Sequence, residues 1–184
     1  GGTLMSAVKE KNKQKIMHAA KGLFERYGVE NVSFKQIADE AGVCRTTVFN
    51  YFGGTKELML AIFSQEIEDL TEYFDNTGIC GKEKVLALFD KLIDDTAAYP
   101  LLATQLIQNA VLSREENNPI ACIEHTVCSA FGGREELAVS VMGAYLGLIS
   151  HYHINLLPFD AEKMKDEFRS LFAIITDQYE GVTL

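Results

Sequence analysis

Strand-like alternation of apolar and polar residues is absent from this sequence, and so are internal repeats and low-complexity segments. The first absence removes a sheet from consideration and leaves an all-α expectation. No apolar run approaches the length needed to span a bilayer, and no charged-then-apolar leader opens the chain, so no membrane partner is expected. The four cysteines (Cys44, Cys80, Cys122, Cys128) form no CxxC pair, which points to free thiols in a reducing cytoplasm. A glycine-rich phosphate loop, paired inward carboxylates and a nucleophile–base–orienter set are all missing. Neither catalysis nor a cofactor is expected.

What is present begins with enough apolar material for a core. Hydrophobic residues make up 47% of 184, too many for a disordered chain. The net charge of −9 is unevenly spread. Residues 1–57 hold nine Lys/Arg against six Asp/Glu, a net +3, while residues 58–184 hold eight against twenty, a net −12. A mildly basic head on an acidic body is compatible with nucleic-acid binding by the head alone.

Helical periodicity runs through the whole chain. Ile16, Ala19, Ala20, Leu23, Phe24 and Tyr27 form one stripe, closed by Gly28. Ser33 followed by Gln36 is a capping-box pattern. A fourth helix is expected to begin at Thr55 as N-cap and to carry Leu58, Ile62, Phe63, Ile67 and Leu70 as far as the loop Asn76-Thr77-Gly78. Val85, Leu88, Phe89 and Leu92 mark a fifth, ending before Pro100, and a short one follows from Leu101 to Leu112. Asn118-Pro119 reads as N-cap and first-turn proline of another, closed by Gly132-Gly133. Leu137, Val141, Tyr145, Leu148 and Tyr152 define a long helix ending near Pro158. Asp160 caps the last, whose stripe is Met164, Phe168, Leu171, Phe172, Ile175 and Tyr179. The count is about nine helices. The expected division is a disordered start over residues 1–8 (Gly1 to Leu4, before Met5, are set aside), a head over 9–54 and a body over 55–184.

Ala38, Gly42 and Val48 stand at offsets 0, +4 and +10, as a helix-turn-helix requires. The corner wants a small residue where the helices cross, a residue tolerant of positive φ at the turn and an inward apolar side chain beyond it. Ile37 and Val43 add core. In the second helix, about Cys44 to Phe52, Val48, Tyr51 and Phe52 face inward, leaving Arg45, Thr46, Thr47, Phe49 and Asn50 mostly outward. Such a set suits a major groove about 12 Å wide. Arg45 donates to guanine or phosphate, Thr47 and Asn50 suit phosphate or base edges, and Phe49 or Thr46 meets a thymine methyl. Lys35 and Lys56 flank the corner as phosphate partners.

Residues 12–60 resemble the DNA-binding head of the tetracycline-repressor (TetR) family of bacterial regulators. The resemblance rests on the "AA…LF…G" first helix, "IADEAGV", "TVFNYF" and the "KEL" that opens the fourth helix. It implies an N-terminal three-helix helix-turn-helix head joined to a larger helical ligand-binding and dimerisation domain. It also implies DNA contacts at Ser33, Lys35, Arg45, Thr46, Thr47, Phe49, Asn50, Tyr51 and Lys56. Three positions depart from the family pattern. Cys44 stands where an N-cap serine is common, a loss of about 1 kcal/mol in the cap. Phe49 replaces the usual tyrosine and its hydroxyl, and Gly53-Gly54 lengthens the link to the fourth helix by one residue. Cys44 also sits at a helix N-terminus, where thiol pKa values fall and oxidation would add bulk at the DNA face.

The resemblance further implies a homodimer, a double-stranded, pseudo-palindromic DNA operator and a small-molecule effector, with the fourth helix transmitting between them. The apolar faces of the last two long helices independently favour two-fold pairing into a four-helix interface. The effector is expected to be largely apolar, and a body of −12 disfavours a strongly anionic one. Candidate pocket residues are Phe63, Phe89, Tyr99, Gln105, Asn109, Cys122, His125, Met142 and Tyr145. Cys122-x-x-His125-x-x-Cys128 could turn three metal-capable groups one way on a helix, but no fourth ligand is near and no metal is assigned. His151 and His153, two apart, point to different sides. The preferred function is a repressor released by its ligand. Alternatives are an activator or corepressor-dependent regulator of the same fold, and a helical ligand-binding or interaction module that does not bind DNA. The last has no use for Lys35, Arg45 and Lys56.

Overall fold

The computed structural model describes residues 2–180, with side chains over 6–177. Among the described residues there are nine α-helices and no strand. The first, α1 (Gly2–Tyr27), buries Ile16, Met17, Ala19, Ala20, Leu23 and Phe24. It begins earlier than expected, because residues assigned to a disordered start continue the helix. Its stripe also stops short. Tyr27 is 53% exposed, beyond the last core turn, with the Arg26 guanidinium 5.6 Å from its ring centre.

A 3-10 turn (Val29–Asn31) leads to α2 (Phe34–Ala41) and α3 (Arg45–Phe52), which complete the head with α1. The next helix, α4 (Thr55–Asp75), packs against both α1 and α3 of the head and α5, α6 and α7 of the body. Its buried Leu58, Met59, Ile62, Phe63, Ile67, Leu70 and Phe74 recur at helical spacing along that shared face. Its N-cap is Gly54; Thr55, expected in that role, is the first helical residue.

In the body, α5 (Gly81–Ala98), α6 (Pro100–Leu112) and α7 (Pro119–Ala130) surround α4, and α8 (Glu135–Ile154) folds back onto α9 (Ala161–Glu180). The caps come from the residues expected. Asn118 Oδ1 accepts from Ile120 N at 3.0 Å, while its Nδ2 donates to Ala110 O at 2.7 Å and so fixes the end of α6. Asp160 Oδ1 accepts from Lys163 N at 3.0 Å. Phe89 of α5 stacks on Phe168 of α9 at 4.7 Å and meets Tyr145 of α8 edge-on at 5.2 Å. Around that aromatic core, Arg169–Asp90 (2.6 Å) and Lys165–Asp94 (3.0 Å) pair α9 with α5.

Two expectations about the last helices change. Leu171 lies outside the core at 37% exposure, one position ahead of buried Phe172, and Tyr179 lies outside the described side chains. By length and composition α8 is apolar enough to cross a membrane, contrary to the sequence expectation. Its apolarity has a core explanation: Leu137, Ala138, Val141, Met142, Tyr145, Leu148, Ile149 and Tyr152 are buried against neighbouring helices.

Candidate nucleic-acid interface and effector cavity

The corner between α2 and α3 is built from its caps. Ser33 Oγ accepts from Gln36 N, and the Gln36 side chain accepts from Ser33 N at 2.8 Å, closing the capping box. At the far end, Gly42 adopts φ 67°, ψ 37° and its N–H donates to Ala38 O and Asp39 O. Val43 N also reaches Ala38 O at 3.0 Å, so the chain turns sharply without orphaning the last carbonyls. Cys44 is the N-cap of α3 and gives no side-chain cap, in line with the weaker cap expected there. Its Sγ instead lies 2.9 Å from Thr47 Oγ1. Hydrogen bonding from the Thr47 side chain, then from its backbone N–H, holds the Cys44 thiol below its ordinary pKa.

On α3, Val48 and Phe52 are buried, whereas Arg45, Thr46, Phe49 and Asn50 face solvent and Thr47 is half-buried. Phe49 is 59% exposed, leaving its ring open to solvent on this face. Tyr51 is half-buried and its hydroxyl donates to Lys9 O at 3.0 Å. That bond sets the start of α1 beside α3. Lys9, Lys11 and Lys15 are exposed there and Lys13 is half-buried, four cations absent from the residues singled out above. Their signal was visible as four lysines in seven residues; their position depends on the Tyr51 contact. Lys35 pairs with Asp39 at 2.9 Å across one turn, and Ser33 is committed to its cap.

Lys56 is exposed, just past the Gly53-Gly54 link. Gly53 has φ 73°, so the left-handed region is required there, while Gly54 is extended at φ −163°. The Lys56 carbonyl accepts from Asn109 Nδ2 at 3.4 Å.

A second feature lies between α1, α4, α5 and α6. It is a cavity of about 40 Å³ with Phe63, Ile67, Leu92, Leu102 and Leu106 on its apolar walls. Thr96 and Tyr145, hydrogen-bonded at 3.0 Å and buried, form a polar floor. Lys21, Glu66, Asp95 and Tyr99 complete the lining. Lys21 Nζ donates to Glu66 Oε1, and burial is the main cause of a raised Glu66 pKa. Burial also pushes the Tyr145 hydroxyl upward, so it stays neutral.

Of the nine expected pocket residues, Phe63, Tyr99 and Tyr145 line this cavity. Phe89 and Met142 are packed in the core away from it, at 0% and 2% exposure. Cys122 and His125 line an outer groove between α4 and α7, and Cys128 packs against the core. Among the described residues no three His, Cys, Asp or Glu side chains are grouped to hold a metal ion. Gln105 turns to the head, and Asn109 to the start of α4. Gln105 Oε1 accepts from Val29 N at 3.4 Å and its Nε2 donates to Glu30 Oε2 at 3.1 Å. Glu25 Oε2, on α1, accepts from Leu102 N at 2.8 Å and so caps α6 from the head. Lys21, Glu66, Asp95 and Thr96 went unrecognised because nothing local marks them; the crossing of α1, α4 and α5 brings them together.

Residues 16–62 match the sequence profile described as "Bacterial regulatory proteins, tetR family". Among curated proteins, the chain is 33% identical over 70 residues to the HTH-type transcriptional regulator YfiR of Bacillus subtilis (strain 168), a match covering 38% of this chain and 34% of YfiR. It is 29% identical over 65 residues to an HTH-type transcriptional regulator of Staphylococcus aureus (strain USA300), covering 35% of each. The chain thus matches about a third of the length of these relatives. Among solved structures, a TetR transcriptional regulator from Rhodococcus sp. RHA1 superposes with a TM-score of 0.67 at 16% identity, covering 91% of this chain and 97% of that one. FadR of Bacillus subtilis, solved in complex with stearoyl-CoA, gives 0.61 at 16% identity, over 87% and 97%. A chain solved in work on the control of antibiotic production by bacterial hormones gives 0.72 at 16% identity, over 91% and 96%. At these identities the superpositions establish a shared fold.

Proposed function

We propose, for a chain that belongs through residues 16–62 to the tetR family of bacterial regulatory proteins, the role of a DNA-binding transcriptional regulator: a homodimeric repressor that a small-molecule effector releases from a pseudo-palindromic operator. The observation that carries this reading is the division of α3. Val48 and Phe52 anchor it to the head, while Arg45, Thr46, Phe49 and Asn50 stand free on one outward face. An eight-residue helix so presented fits a major groove, with Arg45 the natural guanine or phosphate partner. Lys56 and the lysines at the start of α1 supply phosphate contacts on either side.

Dimerisation is supported by the outer faces of α8 and α9. Val139 and Ile154 of α8 and Ile174 of α9 are exposed, and a Cβ at Gly143 or Gly147 would meet nothing, which leaves room for close helix approach. Pairing these faces about a two-fold axis would present two copies of α3 to one duplex.

Effector release is supported by the cavity's size and walls. At about 40 Å³ it has room for only a few waters; binding pockets occupy about 300–1,000 Å³. An effector must therefore push its walls apart, and three of those walls are α1, α4 and α6. Each reaches the head, α6 through Glu25 and Gln105. Binding would favour dimers whose recognition helices no longer match the half-sites, by the effector's differential affinity for the two arrangements.

Repeated selection of the full chain on a random duplex library tests the reading. The expected product is a two-fold repeat with half-sites about one helical turn, 34–36 Å, apart. On that sequence Arg45→Ala relaxes base preference, whereas Lys56→Ala weakens all duplexes alike and lowers the salt slope by about 1. A chain that enriches no sequence over many rounds refutes DNA regulation and favours a helical module that binds only ligand or protein.

A further inference from the structure

We propose that the central cavity is a seat for an organic cation, and that Lys21 of α1 occupies this seat as the effector's built-in competitor. The inference rests on the effector-released reading above and names the effector's chemistry.

The seat is defined by what Lys21 does in it. Its ammonium donates to Glu66 and lies 5.0 Å from the centre of the Tyr99 ring. A carboxylate and an aromatic face together are what an ammonium group seeks when it leaves water. Lys21 belongs to the head, while Glu66 belongs to α4 and Tyr99 to the corner between α5 and α6. The contact is therefore one of the ties between head and body.

The remaining charges favour a positive replacement. Asp95 lines the cavity, and the groove at its mouth carries Asp69, Tyr73 and Lys91, with Lys91 paired to Asp95 at 2.8 Å. With Lys21 withdrawn, three carboxylates (Glu66, Asp69, Asp95) face one ammonium. An anionic ligand would leave Glu66 half-buried and unpaired, a costly state for a carboxylate. A neutral ligand has nothing with which to take Glu66 from Lys21. A cation replaces Lys21 at both partners. The floor, where Thr96 and Tyr145 satisfy each other, asks for no charge. Phe63, Ile67, Leu92 and Leu106 would surround an apolar remainder. The fitting molecule is thus an amphiphilic amine or quaternary ammonium ion, and its entry breaks the tie between α1 and α4.

Calorimetric titration of the full chain with benzyltrimethylammonium, N-benzylacetamide and phenylacetate tests this. The cation is expected to bind at least about tenfold tighter than the other two, the scale of one buried charge contact. Lys21→Met should tighten the cation several-fold and leave N-benzylacetamide unchanged, because the competitor is gone. Glu66→Gln should bring cation and amide to parity. A purely structural role for Lys21 predicts that Lys21→Met weakens every probe, and that result overturns the proposal. So does an amide or phenylacetate that binds wild type as tightly as the cation, although the effector reading then survives. Failure of all three probes overturns the cation seat but not the effector reading, which names no ligand. Should Lys21→Met fail to fold, Tyr99→Leu keeps every charge and should weaken the cation about fivefold through the lost ring; equal weakening of cation and amide overturns the proposal.

Discussion

Replacing Glu25 by alanine removes an acceptor that the head lends to the body. Its Oε2 accepts from Leu102 N at 2.8 Å, in the first turn of α6. The N-cap of that helix, Tyr99, provides no side-chain bond, and Pro100 has no N–H to satisfy, so Glu25 is the side chain that caps the turn. A side-chain cap is worth about 1 kcal/mol, and a negative charge near a helix N-terminus adds about 0.3–1 kcal/mol. The expected loss is therefore about 1.5 kcal/mol, roughly a twelvefold fall in the folded-to-unfolded ratio and about 3–6 °C in Tm at this chain length. Glu25→Gln keeps an acceptor and loses the charge, so it should cost about half as much. Urea titration followed by circular dichroism reads the difference as a shift in midpoint at constant slope. Asn109→Ala is the control: its bond to the Lys56 carbonyl is neutral, 3.4 Å long and exposed, and should cost under about 0.5 kcal/mol. If Glu25→Ala unfolds within about 0.5 kcal/mol of wild type, the scale of a bare surface substitution, or Asn109→Ala costs as much, the head does not cap α6 in solution.

Three further outcomes are expected. Gly53→Ala places a Cβ in open space but at φ 73°, so it should lose about 1–3 kcal/mol through backbone strain alone. Gly54→Ala, at φ −163° and meeting only the flexible end of Glu57, should stay within about 0.5 kcal/mol of wild type, the backbone-entropy gain offsetting a poorer N-cap; equal losses at both positions would contradict the link geometry. Glu66 has its folded pKa raised from 4.5. Its contribution is thus complete below pH 4.5 and lost as pH rises through the folded value, so wild type should fall behind Glu66→Gln as pH rises above 4.5. A wild type that instead gains on Glu66→Gln as pH rises would mean that the Lys21 pairing outweighs burial. Ile174 is 62% exposed on α9. Ile174→Asp should convert dimers to monomers in sedimentation velocity with thermal stability of the monomer kept; a sedimenting dimer unchanged by the substitution would remove α9 from the interface.

Much of the architecture was legible because helices announce themselves locally. The stripes Leu58–Leu70 and Leu137–Tyr152 emerged as buried faces, since an apolar repeat of 3.6 residues leaves few other ways to cover itself. Caps at Ser33, Asn118 and Asp160 were likewise readable, each being a bond between residues two or three apart. Stripe ends were less so: Tyr27 and Leu171 continue the pattern but stand beyond the packed neighbours that would cover them.

By itself the sequence determined the helix-turn-helix corner, because Ala38, Gly42 and Val48 act through steric and φ requirements within ten residues of one another. It also determined the charge division between head and body and the outward face of α3. The cavity was decided only by tertiary structure. Gln105 and Asn109 look like pocket amides in sequence, yet the placement of α6 against the head and the start of α4 turns them toward Val29, Glu30 and Lys56. Lys21 looks like one more solvated lysine, and becomes a cavity wall because α1 crosses α4 beside Glu66 and Tyr99. The physical reason is range. Caps, turns and stripes are set by neighbours in the chain, whereas a cavity between four helices is set by crossings that no local pattern encodes.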